Sequence, residues 1–197
     1  MQNIISIQEQ LQMNYTDYVI FLMGKYGIVR GSYFLNEECK TKNRRIVRTK
    51  DGLCIHHIAE FLYPKLSEAR IARYLPFEYQ MPDKLIYANL LEHLLLHIKI
   101  TEEFNNESSD TFPVGIGGVL FITRQINDYF GNLPELPSGW ELNMFNAIKE
   151  HYSDYIEALK YIRNSNNECL KIFQAEALAS GRNGEPYDSI ILDIERE

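Results

Sequence analysis

Four of the five histidines stand in two short runs of different periodicity. His56 and His57 are adjacent in Leu-Cys-Ile-His-His-Ile, a run of strand character. His93 and His97 are four apart in Glu-His-Leu-Leu-Leu-His, a run of helical character. Side chains at i and i+4 leave a helix on one face, so these two imidazoles can reach one ion. A strand that lays His56 against that face adds a third ligand and leaves His57 with its lone pair free. This demands that residues 53–58 pack beside the helix carrying His93 and His97. Adjacent side chains on a regular strand point to opposite faces. His56 and His57 therefore share a site only if the strand ends or distorts there.

The surrounding sequence supplies the punctuation for such a fold. Residues 45–50, then Asp51-Gly52, then residues 53–58 predict a β-hairpin, since Asp-Gly suits a tight two-residue turn. That hairpin would hold Arg45 and Arg48 beside the histidines. Residues 59–83 form a long connection, with a helix around 67–74 and breaks at Pro76 and Pro82. Lys84-Leu-Ile-Tyr-Ala predicts a second short strand. Asn89 follows as an N-cap, with Glu92 three residues on to complete a capping box. The helix that it starts runs to about residue 100 and is apolar on most sides, which predicts a core helix.

Residues 15–26 predict a helix capped by Thr16 and stopped by Gly27. Residues 105–111 read as a polar loop and 133–139 as a linker. Gly115-Ile-Gly-Gly118 precedes a helical run over 119–129. A glycine turn can cradle a phosphate there, but a plain helix entry is the stronger reading. Residues 141–163 and 165–180 predict two amphipathic helices, 182–186 a turn and 189–194 a strand-like end. His151 is isolated and reads as a surface or partly packed residue. The order of elements predicts an α+β fold. Residues 1–104 would hold an N-terminal helix and the histidine-bearing core, and residues 112–197 a mainly helical region packed on it.

Charge is divided along the chain. The net charge is −7, but residues 1–100 sum to +3 and residues 101–197 to −10. Lys40, Lys42, Arg44, Arg45, Arg48 and Lys50 place six cations within eleven residues, just before the histidine pair. Such a stripe suits phosphate contacts, with Lys42, Arg44, Arg45, Arg48 and Lys50 as candidate nucleic-acid ligands. Three cysteines with no Cys-x-x-Cys spacing argue against a disulfide scaffold or a cysteine-ligated zinc knuckle and point to a reducing cytoplasm. No apolar run is long enough for a membrane span, and the first residues lack a signal-peptide pattern.

Phosphodiester hydrolysis needs a nucleophilic water, a base for its proton and charge stabilisation at phosphate. His56, His93 and His97 could hold one metal ion, and a neutral His57 suits the base. Imidazole ligation favours Zn²⁺, Mn²⁺ or Ni²⁺. A mixed site of His56, Asn89 and one helical histidine would tolerate Mg²⁺ better.

From Gly52 to Ile100 the chain resembles the HNH endonuclease family, through His-His-Ile at 56–58 and Glu-His-x-x-x-His at 92–97. The surrounding text is similar to HNH proteins common in phages and bacterial mobile elements. The resemblance implies a ββα-metal core, metal ligation by His56, His93 and His97, His57 as general base, and cleavage of DNA. The family's middle Asn falls at Lys84 here, so Asn89 either caps the helix or approaches the metal from its first turn. The family's supporting Cys-x-x-Cys pairs are absent. Two other readings fit the same residues. One is a non-catalytic, zinc-stabilised module that binds nucleic acid or, through its acidic half, a protein. The other is a nuclease acting on RNA.

Overall fold

The computed structural model of the chain describes residues 5–104, 113–131, 137–179, 181 and 184–196. The expected loop at 105–111, most of the linker at 133–139 and part of the turn at 182–186 lie outside them. The fold is mixed α and β, mainly helical, with a two-stranded antiparallel sheet.

The chain opens with α1 (Ile7–Gln12), started by a capping box between Ser6 and Glu9. The second helix, α2 (Tyr15–Tyr26), ends at Gly27 as the sequence predicts, but Asn14, not Thr16, is its cap. The Asn14 side chain accepts from the Asp17 amide at 2.8 Å. Buried Lys99 joins these helices, donating to the Leu11 and Met13 carbonyls at 3.1 and 2.6 Å.

The predicted hairpin does not form. Its first arm is a single helical turn, α3 (Arg44–Val47), capped by Asn43 and anchored by buried Ile46. The Asp51-Gly52 turn is present, but it leads from α3 into β1 (Cys54–His57). It is closed by the Leu53 amide donating to Thr49 Oγ1 at 2.7 Å. Gly52 takes φ +71°, and a Cβ there would overlap the Asn143 backbone. Arg45 and Arg48 thus stand on and just after a helical turn rather than on a strand.

Beyond β1 the long connection holds a 3₁₀ turn (Ile58–Phe61), α4 (Ala69–Ala72) and two further 3₁₀ turns before β2 (Leu85–Ala88). The true strand partner is β2. The register pairs Cys54 with Ala88, Ile55 with Tyr87, His56 with Ile86 and His57 with Leu85. Asn89 then caps α5 (Leu90–Glu103), and both halves of the predicted capping box are present. Leu90, Leu91, Leu94, Leu95, Leu96, Ile98 and Ile100 are all buried, so α5 is the central core helix.

The rest is helical: α6 (Ile116–Gly131), α7 (Gly139–Ile148), α8 (Tyr152–Asn164), α9 (Glu168–Ala179) and α10 (Asp188–Glu195). The helix predicted over 141–163 breaks between Ile148 and Tyr152, where the His151 amide bonds back to Ile148. The strand-like end is a helix because Ile190 and Ile194, four apart, are the residues it buries while Leu192 stays exposed. Its period is helical. The main core draws on α1, α2, β2 and α5 to α10, and a smaller one gathers Val29, Tyr33, Phe34, Cys39, Ile46, Ile55, Ala72 and Leu85. No described helix is long and apolar enough to cross a membrane.

Gly52→Ala should cost at least about 1–2 kcal/mol, the penalty of a left-handed backbone for a residue with a Cβ, with the Asn143 overlap added. Urea unfolding of the variant beside the parent measures this; equal midpoints would refute the close approach of α7.

Candidate metal centre

The two strands lie between the two cores, and their pleat sorts the histidines. Ile86 and Ala88 belong to the main core, while Ile55 and Leu85 belong to the smaller one. His56, paired with Ile86, turns toward α5. His57, paired with Leu85, turns toward the smaller core, in ring contact with Tyr33 at a 4.6 Å centroid distance. Strand β1 ends at His57, but the alternation holds up to its last residue.

On the α5 side three imidazoles converge. One ligand atom from each of His56, His93 and His97 lies within 4.8 Å of the other two. The ring centroids are 5.1 Å apart for His56 and His93, 5.2 Å for His56 and His97, and 5.0 Å for His93 and His97. His56 is 0% exposed and His97 6% exposed, while His93 is half-buried. Burial pushes the His56 and His93 pKa values well below the ordinary imidazole range, and the neighbouring rings push further in the same direction. For His97 burial lowers it to about 4. These rings are neutral, the state in which an imidazole can donate a lone pair to a metal.

Two supports hold the cluster. Tyr15, at the start of α2, donates its hydroxyl to the Ile58 carbonyl at 2.9 Å and meets His56 Nε2 at 3.0 Å. With the phenol proton on Ile58, Nε2–H of His56 is the donor to Tyr15, and Nδ1 keeps the lone pair. Tyr15 is itself held by its amide, which donates to Glu103 Oε1 at 2.6 Å. On the other side, α6 packs against α5 through Gly118, where a Cβ would overlap Nδ1, Cε1 and Cγ of His97. The glycine run at 115–118 is therefore a close helix approach under His97. The Gly115 backbone is near enough to pull the His97 pKa part of the way back up, yet no well-formed hydrogen bond closes on His97 Nδ1.

The donor set fits a divalent transition ion. His56 Nδ1 is buried without a hydrogen-bond partner, an arrangement that costs free energy unless something occupies the lone pair; His97 Nδ1 instead packs against Gly118. Three neutral imidazoles are a ligand set for Zn²⁺ and its neighbours rather than for Mg²⁺.

Two residues that the sequence reading passed over belong to this region. Glu60 lies one helical turn after His56, with Oε2 3.7 Å from His56 Nδ1. Burial raises its carboxyl pKa to about 7, against a lesser lowering by the Lys65 amide. Gln80, fully buried, accepts from His57 Nε2 through Oε1 at 2.9 Å, and its Nε2 donates to the Leu66 carbonyl at 3.2 Å. That leaves Nδ1 of His57 with the lone pair. The His57 pKa falls to about 4, chiefly through burial and in small part through Lys42, against the raising effect of Gln80. Glu60 sits four residues from His56, a spacing legible only once a helical turn is known to follow the strand. Nothing local marks Gln80.

The structure brings His56, His93 and His97 together and sets His57 on the other face of the sheet. Asn89 Oδ1 accepts from the Glu92 amide at 2.9 Å while Glu92 Oε2 accepts from the Asn89 amide at 2.8 Å. Of its two expected roles, Asn89 takes that of cap. Lys42, Arg44, Arg45, Arg48 and Lys50 are exposed. Lys42 Nζ lies 5.2 Å from the Tyr33 ring centre, and Arg48 lies over Trp140. His151 pairs with Asp154 at 2.8 Å on the surface, remote in role from the cluster. No family model, curated protein or solved structure matches the chain.

Asn89→Ala should lower stability by about 1 kcal/mol, the usual value of a cap, without changing metal content. Thermal melting with metal analysis checks both. The metal-free protein should also lose stability on acidification. Below about pH 6.5 the unfolded histidines take up protons that the folded ones refuse until about pH 4 or lower. Glu60 works the other way between about pH 7 and 4.5, being protonated in the folded state first, but it is one group against four. A melting temperature that stays level from pH 6.5 to 4 would contradict the neutral, buried cluster.

Proposed function

We propose that this protein is a metal-dependent endonuclease of the HNH type, with a ββα-metal core formed by β1, β2 and α5. The observation that carries the reading is the convergence of His56, His93 and His97 from a strand and a helix, with a buried ring nitrogen left open. A bound divalent ion would stabilise charge on the scissile phosphate and the leaving oxygen. The chain's own residues supply the rest. Gln80 fixes the His57 tautomer with the lone pair on Nδ1, but the ring stands on the face of the sheet opposite His56, so it takes a proton from water at the ion only if the end of β1 turns to bring it across. His57 is buried against the Tyr33 ring, over which Lys42 lies, so a substrate reaches it only after a local rearrangement. Exposed Arg44, Arg45 and Arg48, on and just after α3, offer planar donors to backbone phosphates. DNA is the proposed substrate.

The burial of the cluster favours one second reading, in which the ion is structural and the module binds nucleic acid without cutting it. Supercoiled plasmid separates the two. Under the nuclease reading the parent nicks plasmid with Zn²⁺, Mn²⁺ or Ni²⁺ and stops with chelator. His57→Ala then keeps its metal and its fold but loses nicking, whereas His56→Ala loses both metal and nicking. If parent and His57→Ala behave alike on plasmid, while metal removal only lowers the melting temperature, the structural reading stands.

Replacing Arg44, Arg45 and Arg48 by Ala should weaken binding to unrelated DNA sequences alike and flatten its salt dependence. Fluorescence anisotropy across a salt series measures it, and an unchanged slope would place the phosphate contacts elsewhere.

A further inference from the structure

Gly118 of α6 stands directly against the histidine cluster. A Cβ there would overlap Nδ1 of His97 and the two ring carbons bonded to it, Cγ and Cε1. The turn before it fixes this approach. Gly115 takes φ +90°, and a Cβ on it would lie 2.8 Å from Ile100 Cγ2 and Thr101 Oγ1 and 2.9 Å from the His97 carbonyl oxygen. The Gly115 carbonyl accepts from the Gly118 and Val119 amides at 2.9 and 3.1 Å, which starts α6. Gly117 has open space where its Cβ would stand. Close approach is thus a property of positions 115 and 118, not of the glycine run as a whole.

Cover on Nδ1 decides which nitrogen of His97 serves the cluster. An ion sits about 2.0–2.1 Å from the nitrogen that binds it, and Gly118 closes that space beside Nδ1. Nε2 is the other nitrogen of the ring. It is left for the space shared with His56 and His93, whose ring centroids lie 5.2 and 5.0 Å from that of His97. His97 is buried, so backbone packed on one edge also restrains a ring that would otherwise have to be ordered when the ion binds.

We infer that Gly118 is a positioning residue of the metal centre: α6 backs the His97 ring at Nδ1 and presents Nε2 to the ion. This rests on the metal-centre part of the proposed function but not on nuclease activity. It makes the helical C-terminal region part of the site, because one of the three ligands takes its orientation from α6. Three imidazole nitrogens on a tetrahedral ion leave the fourth position open, as a catalytic ion needs.

Cobalt provides a test independent of cleavage. Co²⁺ is titrated into the metal-free full-length parent, Gly118→Ala and Gly131→Ala, with thermal melting of the same samples. Gly131 is the matched control. It lies about 20 Å further along α6, and a Cβ there would meet Tyr187 Cδ1 at 2.6 Å. Both variants should melt lower than the parent. Only Gly118→Ala should weaken Co²⁺ binding, by the roughly 10–100-fold seen when a group supporting a ligand is replaced. Unchanged affinity in Gly118→Ala, or equal loss in both variants, overturns the inference and leaves a three-histidine site standing. A second readout uses the parent alone, so it holds even if Gly118→Ala does not fold. Long-range ¹H–¹⁵N correlation of the Zn²⁺-loaded protein should show His97 bound through Nε2 with its proton on Nδ1; ligation through Nδ1 overturns the assignment. A parent that takes up neither Co²⁺ nor Zn²⁺ ends the metal-centre reading itself, and the role of Gly118 falls with it.

Discussion

The pairing of Cys54–His57 with Leu85–Ala88 is the constraint on which the site depends. A strand presents alternate residues to opposite faces, and here each face meets a different core. One face closes on α5, α2 and α6; the other closes on the smaller cluster around Tyr33 and Phe34. Two adjacent histidines are thereby given different neighbours and different chemistry. His56 enters a ring of imidazoles, and His57 enters a hydrogen bond with Gln80. Shifting the register by one residue would exchange the two.

Strand β2 runs without a loop into the capped start of α5, which fixes where the helical histidines stand. Asn89 and Glu92 satisfy each other's amides, and Glu92 also pairs with Lys25 at 2.6 Å and accepts from the Tyr26 hydroxyl at 2.8 Å. The first turn of α5 is therefore tied to the end of α2, whose first residue, Tyr15, orients His56. The same helix pair thus sets both ends of the candidate metal centre. Removing Asn89 would loosen this frame without taking a nitrogen from the three-histidine cluster.

Burial makes the centre costly unless it is filled. Neutral imidazoles with unpartnered nitrogens, a carboxylate held at raised pKa and a tyrosine committed to a backbone carbonyl have lost water and gained few hydrogen bonds in return. A bound cation would remove most of that cost at once, so stability and metal binding should be tightly linked here. The exposed cations of residues 42–50 lie outside this frame, where substitution leaves the core undisturbed.

The sequence by itself determined the elements that local chemistry can fix. The i,i+4 spacing of His93 and His97, the capping box at Asn89, the stop at Gly27 and the apolar run of α5 each depend on residues within one or two turns, and each is present. It also showed that His56 could join the helical pair. Tertiary structure decided what depends on distant partners. Residues 44–47 coiled into α3 because Asn43 caps the turn and Ile46 is buried in the smaller core. Residues 189–194 became helix because the core beside α6 and α8 accepts Ile190 and Ile194 on one face. The parting of His56 from His57 and the grip of Gln80 come from chain segments 23 to 30 residues away. No local periodicity encodes such distances, because they are set by which surfaces find apolar cover when the chain closes on itself.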